Sequence, residues 1–278
     1  MTEERILLKM GNLKKVLYYL IICVLFFIFI YSSAKFIKSW CQLKNEEKGL
    51  EELAVLVSEA EVEEVNKSED KVNLEKDLSS EEKNNEIKEK YRSIYEKNKD
   101  LAGWISIDGT RINYPVMQTK DDPQFYLHKN FNKEYAYSGL PFLDSFCNVL
   151  DGKLLVIYGH HMKNGTMFAD LLEYEKKEFF QQHPVILFDN LYEMGEYEIF
   201  SAFYADLDAP ESEFHYEYVP ASENQEEINR YIESFKKKSI YETNVVPKEG
   251  EQILILSTCS YHVENGRFAV GAVKKNKE

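Results

Sequence analysis

Past residue 100 the sequence predicts a mostly β fold with helical insertions, and three observations predict it. Short apolar runs recur along the chain. Turn signals such as Asp108-Gly109 and Asn265-Gly266 stand between them, and only two stretches there carry helical spacing. The arrangement expected from this pattern is a mostly antiparallel β-barrel or sandwich. With 278 residues, 44% hydrophobic and 14% aromatic, the chain suffices for one domain of ordinary size with a sizeable core, plus appendages.

The elements follow in chain order. Val16 to Tyr31 reads VLYYLIICVLFFIFIY and carries no charge, and Ser32, Ser33 and Ala34 extend it to Lys35. At ~1.5 Å per helical residue such a run spans roughly 24–30 Å, the short end for a membrane helix. Lys35 and Lys38 can lengthen it by reaching toward the headgroups. Arg5, Lys9, Lys14 and Lys15 precede it, so the positive-inside rule puts residues 1–15 in the cytoplasm, a single-pass anchor at 16–34, and the bulk of the chain outside. A cleaved signal peptide is the alternative, although Ser32-Ser33-Ala34 lacks an A-x-A pattern. A buried core helix fits poorly, because the run is apolar all round.

Residues 35–78 read as an acidic, mostly solvated stalk, with Leu50, Leu53, Val57 and Val62 hinting at helix. The formal net charge is −14. Glu46 to Glu82 hold 14 Asp/Glu against four Lys, a net of −10, which leaves −4 for the rest. The acidity belongs to this segment, and with no basic stripe anywhere a nucleic-acid partner is not expected. Ser79 and Glu82 form a capping box, and Ile87, Tyr91, Ile94 and Tyr95 follow at helical spacing. That helix should dock on a domain running from 79 to 278 and end before Gly103.

WISIDGTRINYPVMQ (Trp104 to Gln118) suits two strands around Asp108-Gly109. KLLVIY, VILFD, YEIFSAFYA, QILILST and RFAVGAVKK, starting at Lys153, Val185, Tyr197, Gln252 and Arg267, each suit one more. Met167 to Gln182 reads as helix or as two short helical turns, and Ser222 to Ser239 as a longer helix.

Four cysteines, none in a C-x-x-C pair, do not make a disulfide scaffold in a chain this long, and nothing in the sequence pairs Cys41 with Cys147. Cys259 ends its strand in the stretch LSTCSYHVENGRF. Asn265-Gly266 favours a hairpin turn, so Arg267 opens the neighbouring strand at the end where Cys259 closes its own. A guanidinium near a thiol favours the reactive thiolate and can stabilise an oxyanion. The plainer reading is a packed cysteine and a surface arginine.

A thiolate nucleophile usually needs a histidine, and there are six. His128 and His183 sit in polar contexts, which suggests surface positions. His215 lies in an aromatic-rich loop, and His262 is three residues from Cys259. His160 and His161 follow a strand ending at Gly159, whose backbone freedom suits the rim of a sheet. A zinc site competes, since Cys259, His262, His160 and His161 are four nominal ligands. Adjacent histidines on extended chain point opposite ways, however, and no H-E-x-x-H is present.

Three stretches together carry a more specific signal: DLAGWISIDGTRINYPVMQ from Asp100, YGHHMKNGTMF from Tyr158, and STC followed by Arg267. In this order, behind an anchor, they resemble the sortases of Gram-positive bacteria, class B in particular, over roughly Ser79 to Lys275. The resemblance implies an eight-stranded β-barrel with an N-terminal helix and a helix in the connection before the cysteine strand. It also implies a cysteine transpeptidase in which Cys259 is the nucleophile, His160 the catalytic histidine and Arg267 the essential arginine. Ser257 and Tyr158 would line the groove for the sorting peptide, and Leu127 and Phe214 match more loosely. Tyr204 to Pro220 departs from the family pattern and leaves the sorting motif open.

The implied reaction cleaves a C-terminal sorting signal after Thr and joins the acyl group to an amine of a peptidoglycan precursor (lipid II), without metal or cofactor. Partners would be surface proteins bearing the signal, the precursor, and the membrane. An exported cysteine peptidase, a pilin-polymerising sortase and a non-enzymatic tethered binding domain remain as alternatives.

Overall fold

The computed structural model describes residues 3–71, 86–210, 214–216, 225–248 and 250–275. The chain divides into two units, Met1–Lys48 and Gly49–Glu278. The first is helical throughout its described part and belongs to α1 (Glu3–Lys71). Leu17 to Tyr31 are exposed. This is the one helix among the described residues long and apolar enough to cross a membrane, by length and composition.

In the second unit the rest of α1, expected as a mostly solvated stalk, also contributes to the core. Leu53 and Val57 are buried and join a cluster with Tyr91, Ile94, Leu101 and Trp104. They lie four residues apart, on one helical face, which agrees with the helical hint in the sequence. The helix expected from Ser79 appears as α2 (Glu89–Lys97), with Tyr91 and Ile94 buried; the Ser79–Glu82 capping box lies outside the described residues. Lys90, also buried, binds Asp189 at 2.8 Å and Glu61 at 3.0 Å, while the Tyr91 hydroxyl donates to Asp189 at 2.8 Å.

Eight strands close into a barrel: β1 (Leu101–Ser106), β2 (Asn113–Met117), β3 (Phe142–Leu143), β4 (Leu154–Gly159), β5 (Val185–Asn190), β6 (Glu196–Asp206), β7 (Ile253–Cys259) and β8 (Gly266–Lys274). Their order around it is β1-β2-β3-β4-β7-β8-β6-β5. Most pairings are antiparallel, as expected. Two are parallel, β2 with β3 and β4 with β7. A parallel pair needs a crossover, and that between β4 and β7 takes in β5, β6 and all the intervening helices.

The helices in that crossover obey their sequence signals. Met167 to Gln182 becomes two short pieces, a 3-10 segment at Ala169–Glu175 and α3 (Lys177–Gln182). In α4 (Gln225–Lys238), Ile228, Tyr231, Ile232 and Phe235 recur at i, i+3, i+4 and i+7 and are buried. Phe235 packs on Phe200 and Phe203 of β6, with ring centroids 6.2 and 5.0 Å apart. Glu226 and Glu227 in the first turn and Lys236 to Lys238 in the last complement the helix dipole.

Candidate active site

Between β7 and β8 the register pairs Thr258 with Phe268 and Cys259 with Arg267. One step further Ser260 N–H donates to the Gly266 carbonyl at 2.9 Å. Narrow and wide pairs alternate in an antiparallel ladder, so Cys259 and Arg267 form a non-hydrogen-bonded pair, the kind whose side chains stand closer. The connection is not a two-residue turn. It runs from Ser260 to Asn265, with Asn265 at φ 53° and the Gly266 N–H bonded back to the Val263 carbonyl at 3.2 Å.

On the other side of β7, parallel β4 pairs Tyr158 with Ser257 and Gly159 with Thr258. His160 therefore leaves β4 one residue past the last pair, at the level where Cys259 ends β7. Gly159 serves packing and not backbone freedom: its φ is not positive, and a Cβ there would sit 2.6 Å from the Phe168 ring. The Phe168 N–H in turn holds the His160 carbonyl at 2.9 Å.

Cys259, His160 and Arg267 line one cleft of ≈ 440 Å³. The His160 Nε2–H donates to the Leu127 carbonyl at 2.9 Å. A carbonyl can only accept, so Nε2 carries the proton and Nδ1 is the nitrogen that can exchange one. Burial holds the His160 pKa below the ordinary histidine value; the charges of His128 and Arg267 push the same way and the Leu127 carbonyl opposes them. Arg267 donates through Nη1 to the Gly266 carbonyl at 3.0 Å.

Of the expected groove residues, Ser257, Tyr158 and Leu127 line this cleft. Phe214 does not. It packs among Phe203, Tyr231 and Phe235, with centroids 5.1 to 6.1 Å apart, because the aromatic face of α4 draws it off the cleft. Tyr216 stands in the cleft instead, its hydroxyl 2.6 Å from the Ser257 hydroxyl. Asp144 is there as well and accepts from the Tyr158 hydroxyl at 3.0 Å. Burial and that carboxylate push the Tyr158 phenol pKa up. Neither residue was legible beforehand: Tyr216 sits in the stretch that departs from the family pattern, and Asp144 carries no motif.

The other histidines lie off the cleft lining. His161 bridges to Met167 and its ring meets Tyr261 at 5.5 Å, as alternation past His160 requires. His262 binds Ser260 at 2.8 Å and packs on Tyr204. His215 is buried, 3.3 Å from the Pro210 carbonyl, and His183 holds the Asp108 carbonyl at 2.7 Å. Among the described residues no three His, Cys, Asp or Glu side chains gather as metal ligands. Cys41 and Cys147 are free thiols. A larger cavity, ≈ 840 Å³, lies between Gly49–Lys71, α2 and β5 and is lined by Lys90, Asp189 and Trp104. Size alone would favour it, but none of the candidate residues reaches it.

Residues 105–275 match the Sortase domain family model. Sortase B of Listeria monocytogenes is 36% identical over 176 residues, which cover 62% of this chain and 69% of that protein. The structure of the Staphylococcus aureus sortase B–substrate complex superposes with a TM-score of 0.71 at 26% identity, covering 86% of this chain and all of that one. Clostridium perfringens sortase B superposes at 0.60 with 33% identity, over 66% of this chain and 99% of its own. The chain belongs to the sortase family of cysteine transpeptidases, and these relatives are of the B class.

Proposed function

We propose that the protein is a membrane-anchored sortase that cleaves a C-terminal sorting signal after Thr and transfers the acyl group to an amine of a cell-wall precursor. The observation that carries this reading is the meeting of Cys259, Arg267 and His160 at one end of three adjacent strands, along one cleft.

The Cys259 thiolate attacks the Thr carbonyl, and the electron pair of the C=O bond moves onto oxygen. Arg267, opposite the cysteine, donates to that oxyanion. The tetrahedral adduct collapses, the C–N bond breaks, and His160 as imidazolium gives its Nδ1 proton to the leaving amine. An incoming amine then attacks the thioester, loses a proton to His160 and expels the thiolate. Tyr158, Ser257, Tyr216 and Leu127 would flank the peptide upstream of the Thr. The B-class relative solved with its substrate supports a peptide in this groove.

Residues 16–34 would anchor the enzyme, with residues 1–15 in the cytoplasm and the barrel outside. The apolar, exposed helix supports the anchor, and the Lys and Arg residues before it support the orientation.

Incubating the protein with a sorting peptide and a triglycine amine, then weighing the products, tests the transfer. An amide between the Thr carbonyl and the amine is expected. Hydrolysis alone at every amine concentration would favour an exported peptidase.

A further inference from the structure

The 3-10 turn Phe125–His128 touches His160 twice. Leu127 accepts from its Nε2, and the next residue, His128, lays its ring against the His160 ring, centroids 5.3 Å apart and planes 26° apart. Tyr135 covers the far face of His128 at 6.2 Å and 29°. Three rings therefore stand in a row, ending on His160, which lines one cleft with Cys259.

The backbone around this row is tightly held. The Ala136 N–H donates to the His128 carbonyl at 3.1 Å, and Lys129 pairs with Tyr135 in an isolated bridge. Gly139, at φ +57°, lies so close under the turn that a Cβ would sit 2.2 Å from the Leu127 carbonyl oxygen. The turn that presents Leu127 and His128 to His160 is thus fixed from below and behind. No stretch of sequence shows this, because His128 stands 32 positions before His160 in a polar context.

We propose that His128 is a positioning residue for the transfer reaction: its ring, backed by Tyr135, holds the plane of His160 so that Nε2 stays on Leu127 and Nδ1 stays on the Cys259 side. This rests on the proposed role of His160. A ring free to turn about its χ angles would spend part of its time with neither nitrogen aligned, and misplacement of a catalytic group is costly. The charged and titratable groups around His160 are His128 from the 3-10 turn, stacked on its ring, and Arg267 from β8 and Cys259 from β7, which line the same cleft; Tyr135 stacks on His128. His128 is exposed at the edge, and its charge beside His160 disfavours the imidazolium.

Two substitutions in the full chain, purified in detergent, separate the ring from the charge. His128→Ala removes both, and His128→Phe keeps a stacking ring. His128→Ala is expected to lower kcat about tenfold or more with little change in KM, since an ångström of misplacement can cost ~10²-fold. His128→Phe should recover most of that loss. The His160 titration, followed by NMR of ¹³C-labelled histidine without substrate, should move up in His128→Phe because the neighbouring charge is gone. Wild-type kcat in His128→Ala overturns the proposal, and so does a His128→Phe protein as slow as the Ala variant. An unchanged His160 titration in His128→Phe overturns the coupling whatever reaction the enzyme performs. Full turnover by a His160→Gln protein would instead remove the role of His160 itself, so the two failures are told apart.

Discussion

Cys259 and Arg267 are direct register partners across the last two strands, at the end of the ladder where β7 stops. The pairing places a thiol and a guanidinium on the same face of the sheet. It gives Arg267 a role that depends on directed donors and not only on charge. If Arg267 acted as a point charge beside the thiol, lysine would serve. If its planar fork meets the oxyanion, lysine loses those donors. Arg267→Lys is expected to lower turnover by about 10²-fold or more, the range for removing one oxyanion donor. Alkylation of Cys259 by a small neutral reagent should change far less. Equal loss in both rates would show that Arg267 acts through the thiol alone.

The two thiols of the barrel should behave oppositely. Cys147 is buried, accepts from the Val156 N–H at 3.3 Å, and has its pKa pushed up to about 12, by burial first and by Asp144 in addition. Cys259 is half-buried in the cleft. In the folded protein Cys259 should be alkylated well ahead of Cys147. Cys147→Ala should keep peptide cleavage at near wild-type rate, whereas Cys259→Ala abolishes it without unfolding the chain. Comparable labelling of both thiols would contradict this.

Among the histidines, His160→Ala should lose orders of magnitude in rate, within the span that general acid–base catalysis contributes. His161→Ala and His262→Ala should lose much less, since their rings turn to Tyr261 and Tyr204. A ranking with His262 as the most damaging site would point to a local Cys259–His262 pair.

The lowered pKa of His160 also predicts how stability depends on pH. In the unfolded chain the ring takes up a proton near pH ~6.5, and in the fold only at lower pH. The unfolded state then binds more protons in that window, so stability falls as pH drops below about 6.5 and levels off below the folded value. Above ~6.5 both states are neutral and the effect vanishes. His160→Gln should flatten this part of the curve, read from urea unfolding at a series of pH values. An unaltered slope would mean that His160 titrates normally in the fold.

Much of the barrel was legible in the sequence because each long strand carries its own apolar run and turn signals such as Asp108-Gly109 stand between them. β3 was not: two residues, Phe142 and Leu143, are too few to show a period. The parallel β4–β7 pair was not either, since pairing across so long a crossover leaves no local trace. Motif order points to Cys259, His160 and Arg267, and the fold lines one cleft with all three. His128 and Tyr216 escaped because their parts in the site come from tertiary contacts. Phe214 packs against Phe203, Tyr231 and Phe235 and not along the cleft, and in the sequence an aromatic loop residue looks alike in either place.

The central claim is that Cys259 forms an acyl bond with a sorting peptide. Mass spectrometry of the purified protein, mixed with candidate sorting peptides and quenched in acid, reads it directly. The account predicts an adduct with the mass of the peptide up to and including its Thr, located on the fragment containing Cys259 and absent in Cys259→Ala. An adduct on another residue, or peptide cleavage that persists in Cys259→Ala, would contradict it.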